Sequence, residues 1–145
     1  MDREERAYLE TAIAYLRDAE IAFENDRYHL TALLSAMSAE NATSSLIVHL
    51  GSRPSRKHRN SLVLHRLSEE APKPLKSKLM MLIESMKRLE PHITKARYPT
   101  RRGVELIPPV RLYSAESAKE LLEEAHRVLK SVRELMGVSG EADQA

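Results

Sequence analysis

Apolar residues recur at three- and four-residue spacing along most of this 145-residue chain. The clearest stretch runs from Tyr28 to Leu50 and contains Leu30, Leu33, Leu34, Met37, Leu46, Ile47 and Leu50. This spacing places an apolar stripe on an α-helix and fits a β-strand poorly. Gly51 follows and favours the left-handed conformation that commonly ends helices. We therefore expect a helix that stops at this glycine.

The middle of that helix, residues 38–45, differs in composition from its two ends. It carries one long side chain, Glu40, and no bulky apolar residue. Small side chains allow a neighbouring helix to approach the backbone closely. Glu40 and Asn41 are therefore expected to be structural polar residues in a crowded contact.

The same apolar spacing, together with cap and turn signals, predicts four further helices. The first spans residues 3–24, with Asp2 and Glu5 as a capping box, and a short helix spans residues 61–70. Another begins near Pro74 and ends around His92, because Pro91 disfavours helix. The last runs from the N-cap Ser114 to Gly137. The expected buried face of the first helix is Tyr8, Ala12, Tyr15 or Leu16, Ala19, Ala22 and Phe23.

These elements predict an all-α fold, an antiparallel bundle of about five helices. A chain of this length is expected to form one domain around one core. Only four glycines are present and no stretch alternates long enough to demand a sheet, so helices that bury their stripes against each other are favoured. We expect a single domain over residues 1–137 and a frayed tail over residues 138–145.

Composition excludes several function classes. The chain has no cysteine, so a disulfide framework and thiolate chemistry are excluded. No apolar run is long enough for a signal peptide or a membrane span, so we expect a cytoplasmic protein without membrane contact. The histidines do not show metal-ligand spacing backed by a carboxylate. We expect no metal site and no cofactor.

Positive charge is concentrated in two stretches although the net charge is only +2. The first basic stretch, residues 52–60, contains about four cations and no acidic residue. In the second basic stretch, residues 95–113, about four cations precede the first acidic residue. If both lie at the same end of the bundle, their guanidinium groups converge on a phosphate site; the alternative is two solvated loops. The candidate nucleotide- or phosphate-binding residues are Arg56, Lys57, His58, Arg97, Tyr98 as a base-stacking ring, Arg101 and Arg102.

His58 is also a candidate catalytic residue. It lies five residues after Arg53, and histidine beside arginine suits ribonuclease chemistry, with the imidazole as acid or base and the guanidinium on the phosphate. Such pairs also arise by chance in any basic loop. The catalytic candidates are therefore Arg97, His58 and Arg53. The alternative is that these residues have only a structural role.

Three short segments occur in an order that resembles the HEPN (higher eukaryotes and prokaryotes nucleotide-binding) domain family. They are Ala39-Glu40-Asn41-Ala42, Lys57-His58 and Ala96-Arg97-Tyr98-Pro99, followed by a final helix rich in alanine and leucine. The resemblance covers nearly the whole chain. It implies a helical bundle that dimerises and binds nucleotides or RNA.

The resemblance also implies partners and activities. Many family members are metal-independent ribonucleases, often toxins of toxin–antitoxin pairs, whose motif is an arginine followed a few residues later by a histidine. Others accompany a minimal nucleotidyltransferase, which is the expected protein partner here. The arginine that matches the motif is Arg97, and no histidine follows it before His126. We therefore expect weak or absent ribonuclease activity, and a non-catalytic interaction module is a further alternative.

We predict that the chain forms a homodimer. The resemblance implies a dimer, and short helices leave apolar stripes that a second copy covers. Light scattering at micromolar concentration should return about twice the chain mass of 16.5 kDa. A mass equal to that of one chain would contradict the prediction.

Overall fold

Six α-helices account for most of residues 1–138, the part of the chain that the computed structural model describes. Residues 139–145, most of the predicted tail, lie outside the described residues. The helices are α1 (Arg3–Glu24), α2 (Tyr28–His49), α3 (Asn60–Glu69), α4 (Lys73–Leu89), the short α5 (Pro91–Lys95) and α6 (Ala115–Met136), and the strands are β1 (Thr100–Arg102) and β2 (Glu105–Ile107). The all-α prediction is confirmed.

The helix ends follow the cap residues that the sequence predicts. Asp2 and Glu5 form a reciprocal capping box at the start of α1. The Ser114 hydroxyl accepts from the Ser117 backbone N–H at the start of α6. Gly51 and Gly137 have φ angles of +85° and +70°, the left-handed region in which glycine avoids the Cβ clash. These local signals fix where α1, α2 and α6 begin or end.

Helices α1 and α2 form an antiparallel hairpin with a close contact at the small segment of α2. The Ser38 hydroxyl donates to the Ala12 carbonyl, and the Ser45 hydroxyl donates to the Glu5 carbonyl, both at 2.7 Å. The later residue of α2 meets the earlier residue of α1, which requires opposite chain directions. Side chain to backbone bonds of this length also require that the two helices lie very close, as the small residues predict.

The apolar stripe predicted for α2 is wrong in its first half. Leu30 is exposed, and Leu33, Leu34 and Met37 are only half-buried. Apart from Leu46 and Ile47 in its second half, the fully buried positions of α2 are small or polar: Thr31, Ala32, Ser35, Ala36, Ser38, Ala39, Ala42, Thr43 and Ser45. Because α2 is surrounded by α1, α6 and the α3–α5 region, the smallest side chains occupy the closest contacts and the leucines lie between neighbouring helices.

The buried face of α1 differs in part from the predicted one. Ala12, Leu16, Ala19 and Ala22 are buried as predicted, whereas Tyr8, Tyr15 and Phe23 are half-buried, and the unpredicted Leu9 and Ile13 are buried. Aromatic rings are large enough to reach the core edge while keeping part of their surface in water. The rings therefore border the core and do not fill it.

Helices α4 and α6 complete the core and are joined by a buried carboxylate. Glu124 on α6 is almost fully buried and accepts from the Arg88 guanidinium of α4 and from Arg127 at 2.7 Å. Burial alone would raise the pKa of Glu124, but the bonds from the two arginines outweigh it and lower the pKa below its usual range. The carboxylate therefore stays charged and ties the two helices together.

The second basic stretch and the residues just before it contain regular secondary structure. Pro91 ends α4 but starts α5, because the first turn of a helix needs no backbone N–H from its proline. Beyond α5, β1 and β2 form a small antiparallel hairpin in which Arg101 pairs with Leu106, and Gly103 at its turn has a φ of +62°. No helix within residues 1–138 is long and apolar enough to cross a membrane.

Candidate functional site

The first basic stretch is folded around the side chain of Asn60, the first residue of α3. Its Oδ1 accepts from the Ser55 backbone N–H at 2.9 Å. Its Nδ2 lies 3.0 Å from three acceptors of α2, the Glu40 carbonyl and the hydroxyls of Thr43 and Ser44. Asn60 is buried. One amide therefore attaches the loop to the small segment of α2.

A turn at Ser55 shapes the rest of this loop. The Ser55 hydroxyl accepts from the backbone N–H groups of Lys57 and Arg59, both at 3.1 Å. His58, between them, has a φ of +58°, a left-handed conformation that is uncommon for residues other than glycine. Such strain persists only where surrounding contacts hold it. The turn directs the His58 ring back onto α2.

The imidazole of His58 forms an ion-pair geometry with Glu40. Its Nδ1 lies 2.8 and 3.0 Å from the two carboxylate oxygens. A carboxylate only accepts hydrogen bonds, so Nδ1 donates and Nε2 is the nitrogen available to a ligand. The Glu40 side chain is 15% exposed and the His58 side chain 43% exposed. Glu40 thus orients His58, while Asn41 only donates to the Met37 carbonyl of its own helix.

A cleft of about 440 Å³ separates the first basic stretch from the junction of α4 and α5. We call it the His58 cleft. The Glu90 carboxylate, which lines the cleft, accepts from the backbone N–H and the hydroxyl of Ser61, both at 2.7 Å. Its walls are formed by Lys57, His58, Arg59, Ser61, Leu62, Lys87, Glu90, Pro91 and Thr94. Three fixed cations therefore face a cleft whose one carboxylate is already hydrogen-bonded.

The cations of the first basic stretch have no carboxylate partners. Within residues 1–138, Arg53, Arg56, Lys57 and Arg59 form no ion pair. All four side chains are exposed. Lys87 lies 3.5 Å from Glu84 in an exposed pair, which stabilises little. These charges remain available to an anionic ligand.

The second basic stretch attaches to another part of α2. Ala96 and Tyr113 pack against Ala32 in the first turns of that helix. The first basic stretch is attached further along the helix, where Asn60 and His58 bond to residues between Glu40 and Ser44. From Ala32 to Glu40 the helix rises about 12 Å, so the two basic stretches are anchored at different positions along α2.

The side chains of the second basic stretch lie outside the walls of the His58 cleft. Arg97 donates from Nε to the Ile93 carbonyl at 2.6 Å, and its guanidinium lies 5.3 Å from the ring centre of Tyr98. Arg101 and Arg102 are exposed on β1. Their part in binding stays a prediction.

Tyr113 and His92 form a hydrogen-bonded pair that contacts this stretch. The tyrosine hydroxyl lies 2.7 Å from His92 Nδ1. Burial raises the pKa of Tyr113 to about 12. Burial, assisted by the charge of Lys95, lowers the pKa of His92. Both groups are therefore neutral near pH 7.

Sequence reasoning missed Lys87, Asn60 and Glu90. Lys87 is one of several lysines on the exposed face of α4, and nothing in the sequence distinguishes it from Lys76 or the others. The roles of Asn60 and Glu90 depend on contacts across 16 to 29 residues. Within residues 1–138, no group of three histidine or acidic side chains is arranged to hold a metal ion.

Comparisons with known proteins give one family and one similar structure. The HEPN domain model matches residues 5–135. The crystal structure of TT1696 from Thermus thermophilus is similar, with a TM-score of 0.70 and 25% sequence identity over 92% of this chain and 98% of that chain. A search of the curated proteins found no match. The family resemblance inferred from the three short segments is confirmed.

We predict that Asn60→Ala destabilises the protein more than Asn41→Ala. The first change leaves a backbone N–H and three acceptors without their partner in a buried setting, which typically costs about 1–3 kcal/mol. The second removes one half-buried bond within α2. Urea unfolding of the two variants checks this difference. Equal losses would show that Asn60 does not anchor the loop.

Proposed function

The chain belongs to the HEPN domain family, and from that premise we propose that it binds a phosphate group of a nucleotide or an RNA in the His58 cleft. The observation that carries this proposal is the meeting of Lys57, Arg59 and Lys87 around one cleft. Two of these cations come from the loop before α3 and the third from α4. A phosphate between them contacts charges that no single segment of the chain supplies.

The chemistry of the cleft suits an anion with several oxygen acceptors. The Arg59 guanidinium can donate two parallel hydrogen bonds to a phosphate, and the lysines act as point charges. His58 adds an N–H or an acceptor at Nε2, since Nδ1 is bonded to Glu40. The Glu90 carboxylate repels the ligand less than a free one because two donors of Ser61 already neutralise part of its field.

The alternative of merely solvated loops fits the first basic stretch less well. A solvated loop needs no fixed conformation, but this one is held by Asn60 and by the turn at Ser55. It also keeps His58 in a left-handed conformation. A loop that is already ordered loses little conformational entropy when a ligand binds. This pre-organisation supports binding.

We predict that Lys87→Ala weakens binding of a nucleoside monophosphate and of a short RNA. Loss of one charge-assisted contact should reduce affinity about tenfold and should lower the log–log salt slope for a single-stranded RNA by about 0.7. The matched control is Lys76→Ala, an exposed lysine on the same helix outside the cleft. Calorimetry and fluorescence anisotropy at several salt concentrations provide the measurements. Equal affinities for the two variants would exclude the His58 cleft.

The same titrations test the second basic stretch. Arg97→Ala and Arg101→Ala should weaken RNA binding if those side chains reach the ligand. Affinity equal to wild type would limit the site to the His58 cleft.

A metal-independent ribonuclease is the second candidate, and the Glu40–His58 pair favours it. A carboxylate that orients an imidazole through Nδ1 leaves Nε2 as a general acid or base. Against it, the arginine expected from the family motif, Arg97, is bonded to the Ile93 carbonyl and lies outside the cleft. Binding without efficient cleavage is therefore the function that the geometry supports better.

We predict weak or absent cleavage of a mixed RNA pool by the purified protein. The assay compares wild type with His58→Ala and with Glu40→Gln. The loss of an acid–base group typically reduces rate by roughly a hundred- to ten-thousand-fold, so true catalysis would be easy to distinguish from contamination. Robust cleavage by wild type that His58→Ala abolishes would establish the ribonuclease instead.

A further inference from the structure

A second cationic cleft adjoins the His58 cleft along the first basic stretch. It has a volume of about 610 Å³. We call it the Arg53 cleft. Its walls are Gly51, Ser52, Arg53, Pro54, Ser55, Lys57, Arg59, Leu62, Val63 and Arg66. Four of these side chains are cations, and no acidic side chain of residues 1–138 contributes to the walls.

The two clefts share a ridge. Lys57, Arg59 and Leu62 line both of them. All three side chains are exposed, and Leu62 is 49% exposed although it is apolar. The ridge therefore places two cations and one apolar side chain between the His58 cleft and the Arg53 cleft. Arg53 and Arg66 belong only to the Arg53 cleft, and Lys87 belongs only to the His58 cleft.

A mononucleotide in the His58 cleft would leave the Arg53 cleft unused. Arg53 and Arg66 form no ion pair within residues 1–138. Like charges that line one cleft repel one another, and a bound anion relieves that repulsion. A ligand with consecutive phosphates would satisfy the cations of both clefts at once.

We propose that the two clefts hold successive phosphates of one single-stranded oligonucleotide whose backbone crosses the Lys57–Arg59 ridge. This inference rests on the proposed function and extends it from a single phosphate to a strand. A duplex is too stiff to bend around one loop, with a persistence length of about 50 nm, whereas a single strand follows a cationic groove. Sugar or base surface then covers Leu62.

Recognition at these clefts acts mainly on the backbone. No aromatic side chain other than the His58 imidazole contributes to either wall among residues 1–138. Sequence-tolerant binding with a marked salt dependence is therefore expected. The phosphodiester chemistry is common to RNA and DNA, so the two strands are separate arms of the test.

The test compares three ligands on four forms of the protein. The ligands are a nucleoside monophosphate, an oligoribonucleotide of about eight nucleotides and the matching oligodeoxyribonucleotide. The forms are wild type, the double variant Arg53→Ala/Arg66→Ala, Lys87→Ala, and the control Arg3→Ala/Arg17→Ala. The control removes the same charge from exposed positions on α1. Circular dichroism confirms that each variant is folded.

Arg53→Ala/Arg66→Ala should weaken oligonucleotide binding about tenfold or more. It should also lower the log–log salt slope by about 1.4, because each of the two lost phosphate contacts contributes about 0.7 for a single strand. It should leave mononucleotide affinity unchanged. The α1 control should change neither the oligonucleotide affinity nor the slope by as much. RNA bound more tightly than DNA would identify contacts to the 2′-hydroxyl.

Two results would overturn the inference, and they differ in what they say about the proposed function. If the double variant binds the oligonucleotide like wild type while Lys87→Ala weakens all ligands, the Arg53 cleft is not used and the His58 cleft still is. If wild type binds neither the mononucleotide nor either oligonucleotide, both the inference and the proposed function fail.

Discussion

The contact made by residues 38–45 of α2 constrains the rest of the structure. One side of this segment must be small enough for α1 to approach its backbone, and Ser38 and Ser45 bond directly to carbonyls of α1. The other side must be polar, because the Asn60 amide reaches it. Any large apolar residue here would separate α1 from α2 and remove the attachment of the loop.

This arrangement places a polar network in a buried position, where each group needs a partner. Unpaired polar atoms in an apolar interior are expensive, whereas fully bonded networks favour one conformation over its competitors. The Asn60 side chain satisfies acceptors on α2 and a donor in the loop. The loop is thereby fixed in the conformation that brings His58 to Glu40 and that places Arg53, Lys57 and Arg59 along the clefts.

The two basic stretches show how similar composition leads to different surfaces. The first is tied to the bundle by side-chain bonds, so its charges acquire fixed positions around the clefts. The second continues into the β1–β2 hairpin, whose tip residue Val104 is 97% exposed. Its arginines are supported mainly by local contacts such as Arg97 with Ile93. Charge density alone therefore does not identify which stretch forms a binding site.

The sequence by itself determined the helical class, the ends of α1, α2 and α6, the family, and the small segment of α2. These features depend on signals within a few residues, namely caps, glycines with positive φ and apolar spacing. Only the tertiary structure decided which residues of α2 are buried and which charges meet. The stripe of Leu30 to Met37 failed as a guide because several helices surround α2 and the closest positions exclude leucine. Lys57 and Lys87 line one cleft, and Glu40 is bonded to His58. Both arrangements bring together distant parts of the chain, and no local pattern encodes them.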